Sequence, residues 1–415
     1  MITTINNEHK ELNFSSEREQ SQACLNSAEH EKNQGRKVLN VPNLRFPEFQ
    51  GEWEEERLAD IADLYKGTSI SKDQLSDDGE PCILYGELYT KYKSETIREV
   101  ISKTNIDNTK LVRSKANDVI IPCSGETAED IATARCVLNG NILLGGDLNI
   151  IRLHGYDGTF MSYQLNGKRK YDIAKVAQGV SVVHLYGEHL KGVKTINPCL
   201  TEQKKIASLL TLLDKRIATQ NKIIEDLKKL KYAISKKLLC NDKWTTYKIQ
   251  DIAEIGRGRV ISSIEIDRQK HPLYPVYSSQ TSNDGIMGYL DNYMFDGEYI
   301  TWTTDGANAG TVFYRKGKFN CTNVCGTLKI QPKFDCYFVS LVLQQATQKY
   351  VSSNLANPKL MNNTMASIKI RMPNIETQKQ LSKVFQALDG CLFIHQRTCE
   401  MYLKEKQYLL RQMFI

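Results

Sequence analysis

No apolar run reaches the roughly 18 residues that a membrane-crossing helix needs, and the polar N-terminus has no apolar core of a signal peptide. A cytoplasmic location is the expectation. Cysteine is present but without a framework: eleven are scattered, and the closest pair, Cys321 and Cys325, has no second pair or histidine cluster at metal-ligand spacing. Buried thiols are expected, not a metal. The seven histidines are dispersed as well, and His184 and His189 do not share a helical face. No phosphate-binding loop with Gly-Lys-Ser/Thr occurs, and Gly256-Arg257-Gly258 lacks the third glycine and following helix of a dinucleotide fingerprint. Asn197-Pro198-Cys199-Leu200 is loosely similar to an N-P-P-[FY] base-holding tetrad, but its third position fails and Pro198 stands where a helix starts. Glu126 to Asp130 reads as a solvated acidic loop. No catalytic or metal residue is assigned, and the chain is expected not to be an enzyme.

What is present begins with Thr201 to Leu239. Its apolar residues fall on two ladders seven apart, Ile206, Leu213, Gln220, Leu227, Ile234 and Leu210, Ile217, Ile224, Lys231, Leu238, which is a coiled-coil seam. Such a helix runs roughly 58 Å, too long for the core of one small domain. Glu376 to Phe414 repeats the pattern 175 positions on, as Leu381, Leu388, His395, Tyr402, Leu409 and Phe385, Leu392, Cys399, Lys406, Met413. The off-pattern residues recur in phase, Gln220 with His395 and Lys231 with Lys406. A parallel pairing would set the two lysines face to face in the seam, which like charges disfavour. An antiparallel one keeps Gln220 opposite His395 and lets each lysine snorkel past an apolar residue near a rope end. The expectation is an antiparallel rope.

The rest of the chain repeats too. Trp53 to Gly67 and Trp244 to Gly258 align at a shift of 191 without a gap, each reading as a short amphipathic helix stopped by glycine. Pro198 and Pro373 precede the two long helices, with Glu202 and Glu376 suited to their first turns. Between opening and rope each half reads mainly as strands, with helices at Tyr163 to Val176 and Cys336 to Val351. The fold class expected is α+β: a tandem repeat of two mixed, β-rich globules separated by an antiparallel two-helix coiled coil. The expected division is a mobile polar tail at 1–40, a first globule at 41–197, a first long helix at 198–240, a second globule at 241–372 and a second long helix at 373–415.

Net charge is +7, and the first long helix carries ten Lys/Arg against four Asp/Glu, which permits a nucleic-acid partner. The globules differ in their middles while sharing a frame, so one device reading two targets is the natural inference. Side chains able to read base edges sit on loops equivalent by the repeat. These candidates are Lys66, Thr68 and Ser69 against Arg257 and Arg259; Tyr85 and Glu87 against Ser278, Ser279 and Gln280; Ser124 against Thr303 and Thr304; and Gln178 and Ser181 against Asn357 and Lys359.

Leu44-Arg45-Phe46-Pro47-Glu48-Phe49 followed by Trp53, the strand Asp118-Val119-Ile120-Ile121 ending in Ser124-Gly125, and Pro198 followed by Glu202-Gln203, Ile206-Ala207, Leu210 and Leu213-Asp214 resemble the specificity subunit of type I restriction-modification systems. The likeness spans nearly the whole chain beyond Asn40. The second copy departs from it, with Thr377-Gln378 for Glu-Gln and Gly390-Cys391 after Leu388-Asp389. The resemblance implies a non-catalytic reader of double-stranded DNA whose two target-recognition domains each take one half of a bipartite, asymmetric site. The helices would set the spacing and dock two methyltransferase subunits, which bind S-adenosylmethionine and methylate adenine. Restriction subunits using ATP and Mg would join them, and this chain would bind no cofactor itself. A scaffold whose end domains bind proteins, without DNA affinity, is the other reading.

Overall fold

The computed structural model describes residues 39–415 except 69, 108–109, 180–181, 240–241 and 353–356. The tail expected at 1–40 falls outside it but for its last two residues. Two compact units divide within the long helices: one gathers the chain up to Asp214 with Lys404–Ile415, the other is Lys215–Leu403. Four helices carry the frame: α1 (Gly158–Asn166), α2 (Leu200–Leu238), α3 (Cys336–Ala346) and α4 (Ile375–Gln412).

In the first unit the opening segment is not the helix its pattern predicts. Glu54–Arg57 is a strand paired antiparallel with Lys194–Asn197, Leu58–Ile61 makes one helical turn, and Ala62–Lys66 is a strand again. The amphipathic spacing comes from that one turn, which buries Leu58 and Ile61, while strand pairing claims the residues on either side. Ala62–Lys66 is the edge of a five-stranded sheet continuing through Leu148–Leu153, Asp118–Pro122, Arg135–Val137 and Thr96–Ile97. A four-stranded sheet lies alongside in sequence, ordered Leu143–Leu144, Glu80–Ile83, Ser102–Thr104, Leu75–Ser76. The helix expected at Tyr163 to Val176 is two, α1 and Lys170–Val176, because Gly167 closes the first with its N–H on the Tyr163 carbonyl.

The second unit repeats the opening at the same shift, with Thr245–Lys248 paired to Lys369–Met372, a turn at Ile249–Ile252 and a strand at Ala253–Arg257. The helix expected here is corrected in the same way. The strand heads a six-stranded sheet through Cys325–Ile330, Phe295–Thr303, Val312–Cys321, Tyr274–Tyr277 and Ile286–Leu290. Gly67 and its counterpart Gly258 follow these strands, and a Cβ on either would sit 2.0 Å from the Gly145 carbonyl or 2.1 Å from the Cys321 carbonyl. That close approach explains why both copies stop in glycine.

One glutamine ties each globule to its long helix. The Gln203 side chain donates to the Pro198 carbonyl at 2.7 Å and accepts from the Asp157 N–H at 2.9 Å, while Asp157 caps α1 through the Phe160 N–H. Gln378 does the same with Pro373 at 2.8 Å and Asp335 at 3.0 Å, and Asp335 caps α3 through Phe338. Trp53 then meets Phe160 edge-on at 5.9 Å, as Trp244 meets Phe338 at 5.9 Å.

Helices α2 and α4 pack antiparallel in both units. In the first, Ile206 and Leu210 share a core with Leu409, Met413 and Phe414; in the second, Gln220 meets His395 at 2.7 Å and Ile234 packs with Leu381, Leu388 and Phe385. Ile206, Leu210, Leu213, Ile217, Gln220, Ile224 and Leu227 are all buried or half-buried, as are Leu381, Phe385, Leu388, Leu392, His395, Cys399 and Tyr402. The ladder fails at its last rung: Leu238 is exposed and Leu239 turns into the core of the second globule as the helix ends.

The seam lysines depart from expectation. Rather than snorkelling past apolar residues, Lys406 bonds Asp214 at 2.7 Å and Glu95 at 2.6 Å, and Lys231 pairs with Asp389. A tyrosine from the globule completes each node: Tyr163 donates to Asp214 at 2.6 Å and Tyr337 to Asp389 at 2.5 Å. Heptad spacing names the facing layer but not the carboxylates flanking it, and these turn the lysines inward. Burial drives Glu95 above the ordinary carboxylate range, with Asp214 adding to the rise and Lys406 opposing it.

Candidate nucleic-acid interface

The reading loops of the first globule leave the ends of its sheet strands. Lys66 ends the edge strand exposed, opposite Asn149. Ser124 follows the central strand, and its hydroxyl lies 3.3 Å from His184 Nδ1. His184 in turn exchanges two backbone hydrogen bonds with Gln178, at 2.8 and 2.7 Å. Two open cavities meet at Ser124: one of about 570 Å³ bordered by Tyr65, Lys66, Asp147 and Tyr186, and one of about 550 Å³ bordered by Tyr85, Tyr89, Glu126 and Asp130. Thus Lys66, Tyr85, Ser124 and Gln178 come together from distant stretches of sequence.

Two other candidates are committed to the protein. Glu87 is 5% exposed and its carboxylate accepts from Lys91 at 2.7 Å, Ser102 at 2.5 Å and the Leu84 N–H at 3.1 Å. The Thr68 hydroxyl accepts from the Val112 N–H at 2.9 Å, holding the loop instead of presenting a free edge. Ser69 and Ser181 lie outside the described residues.

In the second globule the equivalent loops carry cations. Arg257 donates to the Asn323 carbonyl at 2.5 Å, Thr304 at 3.1 Å and Asp305 at 3.2 Å, and Lys359 lies 3.7 Å from the other oxygen of Asp305. Asp305 therefore orients an arginine and a lysine at once. Thr303 and Thr304 are themselves buried in the strand end, while Asn357 is exposed. Arg259 pairs with Glu265 on both guanidinium nitrogens, which raises its pKa further. Ser278, Ser279 and Gln280 form a half-buried turn, with the Gln280 amide on the Ile286 carbonyl at 2.5 Å and the Ser279 carbonyl accepting from Asn308 at 3.1 Å.

Sequence reading missed Arg315. It is 4% exposed, stacks 3.6 Å over Tyr277, and donates twice at 2.8 Å to Asp284, fixing a loop in which Asn283 and Asp284 both have left-handed backbone. Nothing in local sequence separates a buried strand arginine from an exposed one. His184 and Tyr186 were missed for the same reason, since only the folded loops bring them to Ser124. Among the described residues no group of three or more His, Cys, Asp or Glu can hold a metal, and no helix is long and apolar enough to cross a membrane. Cys321 and Cys325 are buried, and burial pushes the Cys325 thiol up to about 11.

Comparison with known proteins bears on this doubled arrangement. The type I restriction modification DNA specificity domain matches twice, over residues 50–229 and 241–400. The chain belongs to the type I restriction-modification specificity family. This specificity subunit is 36% identical over 232 residues to a type I specificity subunit of Mycoplasma pneumoniae, a match covering 52% of the chain and 93% of that protein. It is 39% identical over 178 residues to the specificity subunit of the type I restriction enzyme MpnII from the same organism, covering 42% of the chain and 53% of the relative. In fold it is similar to the crystal structure of a type I restriction-modification S subunit from M. genitalium, with a TM-score of 0.67, 18% identity, and coverage of 90% of this chain and 99% of that one. Two specificity domains in tandem, with long helices between and after them, are therefore the architecture of this specificity subunit.

Proposed function

We propose that this specificity subunit is the non-catalytic DNA reader of a restriction-modification complex, each globule taking one half of a bipartite, asymmetric site. The observation that carries this reading is the contrast between the repeated frame and the unlike loops. Gln203 and Gln378 make the same two bonds, whereas the loop ends present Lys66, Tyr85 and Ser124 in one globule and the Arg257, Asp305 and Lys359 group in the other. A fold needs the frame; it does not need two chemistries at the loop ends. Donors such as arginine and lysine suit guanine acceptors in the major groove, and hydroxyls and amides suit other edges.

In this reading α2 and α4 fix the distance between half-sites and dock two methyltransferase subunits. Those subunits bring S-adenosylmethionine, and restriction subunits bring ATP and Mg, so the assembly works in the cytoplasm on double-stranded DNA. The test is to replace residues 43–198 with another specificity domain and map methylated adenines in cells carrying the chain with its methyltransferase partner. One half of the motif changes if each globule reads its own half. A change in both halves, or in neither, defeats the assignment. A protein-binding scaffold would show no duplex affinity at low salt, where a DNA reader binds and then weakens linearly in log salt.

A further inference from the structure

The second unit carries a groove that the reading loops do not use. It has a volume of about 700 Å³ and lies against α2, α3 and, through Leu392, α4, lined by Lys228, Lys231, Lys236 and Lys349 with no aspartate or glutamate. On α2 the lining positions Lys231, Tyr232, Ser235 and Lys236 follow Lys228 by three, four, seven and eight residues and so share one helix face with it. Lys231 is committed to Asp389. Lys228, Lys236 and Lys349 are exposed and, among the described residues, take part in no ion pair. Tyr232, 70% exposed, Ser235 and Gln344 add neutral donors.

Three uncompensated ammonium groups around one concavity raise a positive potential that only an anion relieves. The repeat does not impose this polarity throughout: the α4 positions equivalent to Lys228 and Ser235 hold Leu403 and Leu410, while that equivalent to Lys236 keeps a cation, Arg411. The donor set is the one that meets phosphate oxygens: lysines, a hydroxyl, a phenol and an amide. A protein partner fits less well, since lysine is depleted from the centres of protein interfaces and, of the apolar lining, Leu341 is 3% exposed and Leu392 half-buried, which leaves the exposed Tyr232 as the anchor such a partner would use.

We infer that this groove holds the sugar-phosphate backbone of duplex DNA, adding affinity without sequence preference. The inference rests on the DNA-reading function proposed above and extends it from the loop ends to the flank of the long helix.

The experiment measures binding of the full chain, with its methyltransferase partner, to a labelled duplex containing its motif, by fluorescence anisotropy across a salt series. Wild type is compared with K228Q/K236Q/K349Q and with the charge-keeping K228R/K236R/K349R. Each phosphate contact contributes roughly 0.9 to the slope of log affinity against log salt, so the glutamine variant flattens the slope by about 2 to 3 and the arginine variant restores it. Base preference in both half-sites stays as in wild type. An unchanged slope in the glutamine variant, with wild type binding normally, overturns the groove and leaves the reading function standing. Lost association with the methyltransferase subunit at an unchanged slope also overturns it, and assigns the groove to an acidic protein segment. Wild type that shows no salt-dependent duplex binding overturns both.

Discussion

The two lysine nodes on the long helices answer the same requirement in different surroundings. Lys406 is closed in by two carboxylates, and the side chains of Lys406, Glu95 and Asp214 are 14%, 12% and 10% exposed. Among the described residues Lys231 has only Asp389, and those side chains are 25% and 40% exposed. The first globule brings Glu95 to the helix pair, and among the described residues the second brings no such acid. Identical rungs of a repeat thus become a dry ion cluster in one unit and a half-wet pair in the other, decided by what the globule lends. Position in a repeat fixes which residues meet, and the neighbouring domain fixes what the meeting contributes.

The sharpest way to break this comparison is at the glutamines, where the two units are alike. Gln203→Leu or Gln378→Leu leaves an N–H and a carbonyl unpaired, buried at Pro198 and part-buried at the others, each costing about 1–3 kcal/mol. Both variants should lose about 2–5 kcal/mol in urea unfolding, and a loss in one unit alone would show that the repeated geometry is not repeated in energy. The next largest effect separates the lysine nodes. Asp214→Asn leaves Lys406 paired with Glu95 alone and takes the charged acceptor from Tyr163, which should cost about 2 kcal/mol, whereas Asp389→Asn, half-exposed, should cost under about 1 kcal/mol. Equal losses in thermal melts would refute the distinction drawn from burial.

Arg257→Gln removes the cation that Asp305 orients. It should relax base preference in one half-site by about 1–3 kcal/mol and leave the other intact, as read from binding to a library of randomised duplexes. The smallest effect concerns acidity. Glu95 is raised above its ordinary value of 4.5, so the folded state holds that proton more tightly than the unfolded one. Its contribution to stability is full at lower pH and declines as pH rises from about 4.5 towards the folded value. Glu95→Gln should remove that decline, seen as a flatter stability profile than wild type as pH rises above about 4.5.

The rope was legible because heptad spacing is long-range order written locally, and the orientation was legible because Lys231 and Lys406 cannot share a layer. What escaped was everything set by through-space neighbours. Trp53 to Gly67 carries a helical period yet forms strand, turn and strand, since its partner strand Lys194–Asn197 lies far along the chain. Arg315 and Arg257 look alike in sequence, and only folding puts one under Tyr277 and the other beside Asp305. Glu87 stood among loop residues of reading type but points inward to Lys91 and Ser102. Loops announce themselves by composition; the direction of each side chain depends on contacts that composition does not encode.

The glutamine bridge has an evolutionary reach. Because Gln203 grips main-chain groups and a capping aspartate, it is indifferent to the side chains that give a globule its taste for bases. A foreign cassette ending in the same proline and bringing its own capped helix would find its seat ready-made. If each globule reads its own half-site, as proposed above, exchange of whole modules would bring new specificities with the mooring inherited unchanged.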